Sequence, residues 1–199
     1  GQSDAQSGHL PIREMERIRD DNLVAIQQAL RAQDWGAGQL LAQYEQRLFD
    51  RGAATASAKL EKHLPADVQV QAAIRYDPAD PDALLDVYRP RTLDPAVPTV
   101  VWVHGGGFVS GRRGDVANYL QVLAGRGFAV VNVDYTIAPG ATYPKPVAQL
   151  MRALAFVDRH AQTLGVQRDA IVLAGDSAGA QIAAQAANLL SSSAYAQAV

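Results

Sequence analysis

The chain has 199 residues, of which 48% are hydrophobic and 19% charged, a composition typical of a folded globular protein. Its formal net charge of -2 gives no reason to expect nucleic acid as a partner. The absence of cysteine excludes disulfides, thiolate catalysis and cysteine-ligated metals. No apolar run reaches the ~20 residues of a membrane-spanning helix, so the sequence predicts no membrane span. These totals do not indicate a cellular compartment, and localisation stays unknown.

The N-terminal part of the chain is predicted to be helical. Residues 1–11 form a polar tail that is left out of the fold prediction. Over residues 12–64, apolar residues at helical spacing predict one helix from Ile12 to Leu30 and a second that ends near Arg51 and Gly52. A packed helical pair is the simpler interpretation of this segment. The functional interpretation, which is compatible with the first, is that these helices cover the mouth of an active site.

Residues 65–199 have the pattern of an α/β core. An alternating run at 68–74 and an apolar run at 84–88 predict an antiparallel hairpin. Three short, nearly continuous apolar runs follow, each typical of a strand buried on both faces, at 99–103, 128–133 and 170–173. Helical patterns near 115–124 and 146–164 separate them. This alternation predicts a mainly parallel sheet with helices on both faces.

The last of these strands leads into the motif Gly175-Asp176-Ser177-Ala178-Gly179. A strand, a Gly-x-Ser-x-Gly turn and a helix in this order are the context of a nucleophile elbow. The glycines leave room for the tight turn, which strains the serine backbone and exposes its hydroxyl. The first amides of the following helix then point at the reaction centre. Ser177 is therefore the candidate nucleophile.

A second motif, His104-Gly105-Gly106-Gly107-Phe108, directly follows the strand predicted to end at Val103. Consecutive glycines let the backbone approach a ligand and turn its amides inward, as an oxyanion hole requires. A plain glycine-rich turn and a phosphate cradle are the alternatives. The spacing and the Lys-Ser/Thr pair of a P-loop are absent, and the elbow later in the chain favours the oxyanion interpretation.

Together with Asp134-Tyr135-Thr136-Ile137-Ala138-Pro139 and Tyr143-Pro144, these motifs resemble the hormone-sensitive-lipase-like branch of the α/β-hydrolase superfamily, over residues 67–193. The resemblance implies hydrolysis of a small-molecule carboxylic ester through an acyl-serine, without a metal or organic cofactor. It also implies that the N-terminal helices belong to a cap over the acyl pocket. The family's oxyanion amides correspond here to Gly106, Gly107 and Ala178. Gly140 stands where the family usually has an acidic residue.

The other polar residues near these motifs are interpreted as structural. His104 is expected to brace the glycine loop, which is the turn formed by residues 104–107. Asp134 is expected to fix a loop near the active site. Asp176 is expected to point away from the place that a triad acid would occupy. Among the remaining histidines, His160 is expected to be solvated, and no motif surrounds His9 or His63.

The sequence after Ser177 lacks the residues that would complete a catalytic triad. Residues 178–199 contain no Asp, Glu or His, although the order in this fold is Ser, then acid, then His. The acid and base are therefore expected beyond residue 199, on the rest of a longer enzyme or on a C-terminal fragment that completes the fold. Without later strands, the strand before Ser177 would be an open sheet edge.

Alternative interpretations remain open at this point. The chain could be a catalytically inactive hydrolase fold that serves as a binding or interaction module. An upstream histidine such as His160 could replace the missing base. The resemblance also leaves open an amide or an aryl ester of the feruloyl type as the substrate.

Overall fold

A computed structural model of the protein describes residues 36–92, 94 and 97–198, with side chains described from residue 46 to residue 197. The predicted tail and the first predicted helix therefore lie outside the described residues. The described elements, in chain order, are α1 (Gly36–Leu60), β1 (Val68–Arg75), β2 (Leu84–Pro90), β3 (Thr99–Val103), α2 (Arg113–Ala124), β4 (Ala129–Val133), α3 (Lys145–Leu164), β5 (Ile171–Gly175), α4 (Ala178–Ser191) and α5 (Ser193–Ala198), with a 3₁₀ turn at Glu61–His63.

The five described strands form one sheet in the order β1-β2-β4-β3-β5. β2 is antiparallel to β1, which confirms the predicted hairpin, and it is also antiparallel to β4. β3 lies between β4 and β5 and is parallel to both. β2 thus runs against the other four strands, and the prediction of a mainly parallel sheet is confirmed. The predicted bounds of the strands and of α2 and α3 agree with the structure to within two residues.

Successive residues of a strand point to opposite faces of the sheet. Apolar strand residues lie on both faces here, and helices cover both. On one face, Val101 and Val103 are buried in the larger core together with Leu150 of α3 and Ile182 of α4. On the other face, Val100 packs in a smaller core with Leu120 of α2. Full burial of a side chain such as Leu120 contributes about 1.5–3 kcal/mol to stability.

The predicted end of α1 was wrong, because the helix passes through Arg51 and Gly52 and continues to Leu60. A glycine inside a helix costs only about 1 kcal/mol relative to alanine. The residues that follow, Ala53, Ala54, Ala56 and Ala58, are strong helix formers, and this preference outweighs the single glycine. The hydroxyl of Thr55 also donates a hydrogen bond of 2.9 Å to the carbonyl of Arg51, one turn earlier.

The prediction that β5 is buried on both faces was also wrong. Among the described strands β5 pairs with β3 alone, and it therefore lies at an edge of the sheet. The side chain of Val172, in the middle of β5, is 46% exposed. Among the described strands, the unpaired side of β5 agrees with the open sheet edge predicted for this strand in the absence of later strands.

Candidate active site

The two glycine-containing motifs lie side by side in the structure. β3 and β5 are parallel neighbours, and Val103 at the end of β3 pairs with Gly175 at the end of β5. The glycine loop follows β3 at this point. The turn of residues 175–179 around Ser177, called the serine turn below, follows β5. The carbonyl oxygen of Val103 would lie 2.0 Å from a Cβ atom on Gly179. This approach requires glycine at position 179 and brings the start of α4 against the end of β3.

Ser177 adopts the strained backbone that its motif predicts. Its φ is 49° and its ψ is -118°, a combination that residues other than glycine rarely adopt. Ser177 is exposed, whereas Ala178, the first residue of α4, is buried. The amides of Gly179 and Ala180 donate to the carbonyl of Asp176 and close the turn. The amide of Ala178 belongs to the first helical turn, where amides have no carbonyl partner one turn earlier.

The glycine loop turns sharply after His104. Gly106 has φ +121° and Gly107 has φ +61°, and both values are unfavourable for other residues. The carbonyl of Gly106 accepts hydrogen bonds of 3.1 and 2.9 Å from the amides of Val109 and Ser110. A Cβ atom on Gly106 would lie 2.1 Å from the carbonyl oxygen of Ser110. The loop thus closes on itself through its own backbone, which fixes the direction of its amides.

His104 is buried behind this loop, with 1% of its surface exposed. Its ring stacks on Tyr135 at a centroid distance of 4.3 Å, and its Nδ1 lies 2.7 Å from the carbonyl oxygen of Gly105. The hydroxyl of Tyr135 donates to the carbonyl of His104 at 3.1 Å. Burial lowers the pKa of the imidazole although Gly105 and nearby carboxylates oppose the shift. These contacts support the interpretation of His104 as a brace.

A cluster of charged residues holds the loop that follows β4. The guanidinium of Arg113 donates to Asp134 and, at 2.9 Å, to Asp86. Asp134 also accepts from the backbone amide of Arg113, and its Oδ1 lies 3.6 Å from Nε2 of His104. Burial opposes the charge of Arg113, but the two carboxylates outweigh it and raise the pKa of the guanidinium. Asp134 therefore anchors the start of α2 to the loop that follows β4.

The sequence prediction did not find the roles of Asp86 and Arg113. Asp86 also accepts a hydrogen bond of 2.7 Å from the amide of Ala73 and one of 3.0 Å from the hydroxyl of Tyr88. A carboxylate within the apolar run of β2 is a usable signal, because a buried charge needs partners. Arg113 lies in a polar stretch of sequence and carries no comparable signal.

Asp176 reaches the glycine loop from the serine turn. Its Oδ1 accepts a hydrogen bond of 3.0 Å from the amide of Gly105. Its carboxylate is therefore directed at the backbone of the loop, and no histidine among the described residues forms a hydrogen bond with it.

Two cavities adjoin the motifs. One, of about 330 Å³, lies between α1 and the glycine loop and is lined by Phe49, Ala53, Gly106 and Asp176, among others. The other, of about 410 Å³, includes Gly140 in its wall. At Gly140 a Cβ atom would lie 3.0 Å from Thr136 Cγ2, so that a larger residue would require this side chain to shift.

Helix α1 packs directly on the glycine loop. The ring of Phe49 lies 3.7 Å from the position of a Cβ atom on Gly107. Asp50 accepts a hydrogen bond of 3.3 Å from the hydroxyl of Ser110. One face of α1 therefore forms a wall beside the candidate oxyanion amides.

The described residues do not bring a base to Ser177. Nδ1 of His104 faces the carbonyl oxygen of Gly105, and Nε2 is buried 3.6 Å from Asp134 without a hydrogen-bond partner among the described residues. No histidine in this part of the chain forms a hydrogen bond with the serine hydroxyl. His160 is exposed and its Nδ1 lies 2.9 Å from the carbonyl oxygen of Phe156, and His63 is also exposed. His9 lies outside the described residues. Within the described ranges no group of three metal-ligating side chains occurs, and no helix is both long and apolar enough to cross a membrane.

Comparisons with known proteins identify the chain's relatives. The BD-FAE family model matches residues 85–197. An esterase of Gibberella moniliformis is 33% identical over 127 residues, which are 63% of this chain and 40% of the relative. An acetyl esterase of Salmonella paratyphi B is 31% identical over 103 residues, which are 51% of this chain and 31% of the relative.

A solved structure supports the same relationship. Esterase B of Lactobacillus rhamnosis, inhibited by a tributyrin phosphonate, matches with a TM-score of 0.68 and 27% identity. The match covers 83% of this chain and 53% of that structure. The chain thus has the α/β-hydrolase fold in part, and it spans about half or less of the length of the relatives described here.

Proposed function

The chain belongs to the BD-FAE family, and on that basis we propose that it is the nucleophile-bearing part of a serine carboxylic-ester hydrolase. Ser177 is the proposed nucleophile. The amides of Gly106, Gly107 and Ala178 are the proposed oxyanion hole. The chemistry needs no metal or organic cofactor, because a serine, a base and backbone donors suffice for acyl transfer.

The observation that carries this proposal is the pairing of Val103 with Gly175. It brings the start of the glycine loop and the start of the serine turn to the same edge of the sheet. An acyl-transfer site needs a nucleophile and backbone donors on one carbonyl group, and this edge offers both. The positive φ of Ser177 supports the same role, because such strain persists where the surrounding structure holds a functional side chain.

The proposed reaction has two steps. The Oγ of Ser177 attacks the ester carbonyl while a histidine takes its proton, and the carbonyl oxygen becomes an oxyanion that accepts hydrogen bonds from the loop and helix amides. The tetrahedral intermediate then expels the alcohol, which receives the proton from the histidine. Water repeats the sequence on the acyl-serine, releases the carboxylic acid and restores the serine.

The histidine and its acidic partner are proposed to come from sequence outside residues 1–199, either on the same polypeptide or on a C-terminal fragment. The exposed edge of β5 supports this part of the proposal. A groove of about 620 Å³ beside it is lined by Met151 and Leu154 of α3, Ile171 and Leu173 of β5, and Leu190 of α4, among others. A further apolar strand with its helix would pair with β5 and fill this groove.

Ser177→Ala in the full-length gene product is the test of the proposed function. Short p-nitrophenyl acyl esters are suitable substrates, since relatives are named acetyl esterase and one was inhibited by a tributyrin phosphonate. Loss of the nucleophile should lower kcat by about 10³-fold or more. A variant with parental kcat would contradict the proposal.

The same assay separates the alternatives. A full-length gene product without activity on a panel of alkyl esters, aryl esters and amides would favour a binding or interaction module. Activity confined to aryl esters or amides would keep the enzyme and change its substrate. Loss of activity in His160→Ala would favour the unusual upstream base, whereas the present proposal predicts parental activity for this variant.

A further inference from the structure

We propose that Asp176 is a positioning residue that holds the glycine loop against the serine turn. This inference rests on the proposed function and deepens it. Asp176 directly precedes Ser177, and its Oδ1 accepts the Gly105 amide at 3.0 Å. A single side chain therefore links the residue before the proposed nucleophile to the residue before the proposed oxyanion amides. Its role is to fix the distance between these two parts of the site.

The space around Gly105 is shaped for this carboxylate. A Cβ atom on Gly105 would lie 2.2 Å from Asp176 Oδ2 and 2.9 Å from the Asp176 carbonyl oxygen. Both distances are far below van der Waals contact. Gly105 is thus the residue that allows the carboxylate to reach the loop, and an amide that donates to a charged acceptor forms a stronger hydrogen bond than one between neutral groups.

The other hydrogen bonds of the loop described above do not reach the serine turn. The hydrogen bonds to Gly106 are made by Val109 and Ser110, within the loop itself. His104 and Tyr135 tie the loop to the segment after β4. Within the described residues, Asp176 is the side chain of the serine turn that bonds to the glycine loop. Its loss should leave the fold intact and let the two parts of the site move relative to each other.

Two variants of the full-length gene product separate hydrogen bonding from packing. Asp176→Asn keeps an Oδ1 acceptor, whereas Asp176→Leu has a similar branched shape and no acceptor. We expect Asp176→Leu to lower kcat for p-nitrophenyl acetate about 10–100-fold with little change in KM, because misplaced oxyanion donors weaken transition-state binding. Asp176→Asn should stay within about threefold of the parent. Asp169→Leu is the control, since the Asp169 side chain is 89% exposed.

Active sites are counted in each preparation by titration with a fluorophosphonate, so that loss of folded protein is not mistaken for loss of kcat. Parental kcat in Asp176→Leu would overturn the inference, and so would an equal loss in Asp176→Asn and Asp176→Leu. If Asp176→Leu fails to fold, Gly105→Ala is measured alone and with Asp176→Ala. The closest clash of a Cβ at Gly105, at 2.2 Å, is with the carboxylate, whereas the contact with the Asp176 carbonyl oxygen at 2.9 Å stays in Asp176→Ala. Gly105→Ala should therefore cost less kcat in the double variant, and additive losses would overturn the inference.

Amide hydrogen exchange distinguishes this inference from the proposed function. Asp176→Leu should speed exchange of the Gly105 amide, whereas Ser177→Ala should leave it unchanged. Hydrolysis that persists in Ser177→Ala would reject the proposed function while the exchange result still tests the link. An unchanged Gly105 exchange rate in Asp176→Leu would reject the link even if Ser177 is the nucleophile.

Discussion

At the scale of single residues, the site depends on glycines that no larger residue can replace. Gly179 is the clearest case, because a Cβ there would lie 2.0 Å from one backbone oxygen, of Val103, and 2.6 Å from another, of His104. Backbone atoms at a strand end cannot move aside as a flexible side chain can. The start of α4 therefore approaches the sheet as closely as it does only with glycine at this position.

We predict that Gly179→Ala lowers the free energy of unfolding by about 1–3 kcal/mol or more, because it forces overpacking against fixed backbone. Urea denaturation measures this change. Gly52→Ala in α1 is the matched control, since nothing lies within 4 Å of a Cβ at Gly52. That variant should gain roughly 0.5–1 kcal/mol, because alanine favours a helix interior. Equal effects of the two substitutions would contradict this account.

At the scale of elements, α1 acts as a wall for the glycine loop. Phe49 is 44% exposed, yet its ring lies against Gly107. An exposed aromatic ring in such contact shields the loop backbone from water on one side. The family resemblance predicts that the N-terminal helices cover the site, but helical periodicity by itself does not, because it defines a face and not the element that this face meets.

We predict that Phe49→Ala speeds amide hydrogen exchange at Val109 and Ser110, whose amides close the glycine loop. Loss of the ring exposes the loop and allows these hydrogen bonds to open more often. Leu64→Ala is the control, because Leu64 is 38% exposed and is not among the residues lining the two cavities beside the motifs. Unchanged exchange in Phe49→Ala would mean that α1 does not stabilise the loop.

Most of the elements could be predicted from the sequence, because buried strands and amphipathic helices have distinct apolar periods. The two glycine-containing motifs were visible for a similar reason, since tight turns restrict residue type. Long-range polar contacts could not be predicted. The bond from Asp176 to Gly105 joins positions that are distant in sequence, and the Arg113 cluster depends on how three elements meet.

The predictions for the end of α1 and for the burial of β5 were wrong because each considered too short a segment. At Gly52 the prediction considered a helix-breaking glycine and left out the helix-forming alanines that follow it. At β5 the apolar run predicts burial on both faces, although the same sequence, without later strands, predicts an open sheet edge. A propensity describes one segment, whereas burial depends on its neighbours.

At the scale of the whole molecule, a buried polar network joins the turn after β1 to α3 and to the segment after β4. The amide of Gln149 donates to Asp80 at 2.9 Å and its carbonyl accepts from the backbone of Thr136 at 2.9 Å. Lys145 adds an ion pair with Asp80 at 3.5 Å. Burial alone would raise the pKa of Asp80, but hydrogen bonds from Asp82 and Gln149 and the charge of Lys145 outweigh it and lower the pKa.

This lowered pKa predicts acid sensitivity. The folded state binds a proton at Asp80 less readily than the unfolded chain, whose aspartates have a pKa of about 3.9. The stabilisation is therefore full above that pH and is lost as the pH falls through the lower pKa of the folded protein. Asp80→Asn should be less stable than the parent at pH 7 and should lose less stability on acidification.

Urea denaturation between pH 7 and pH 2.5 measures this dependence, with Asp169→Asn as the control for an exposed carboxylate. The control should follow the parental curve. If Asp80→Asn also followed that curve, the network would not contribute to the pH dependence of stability.

The proposed function requires that Ser177 forms a covalent acyl-enzyme. The most direct measurement is mass spectrometry of the full-length gene product after reaction with a fluorophosphonate, in which Ser Oγ binds phosphorus and fluoride leaves. We expect one adduct per molecule, on the peptide that contains Ser177, together with loss of ester hydrolysis. An adduct on another residue, or hydrolysis that continues after Ser177 is fully labelled, would contradict the assignment of Ser177 as the nucleophile.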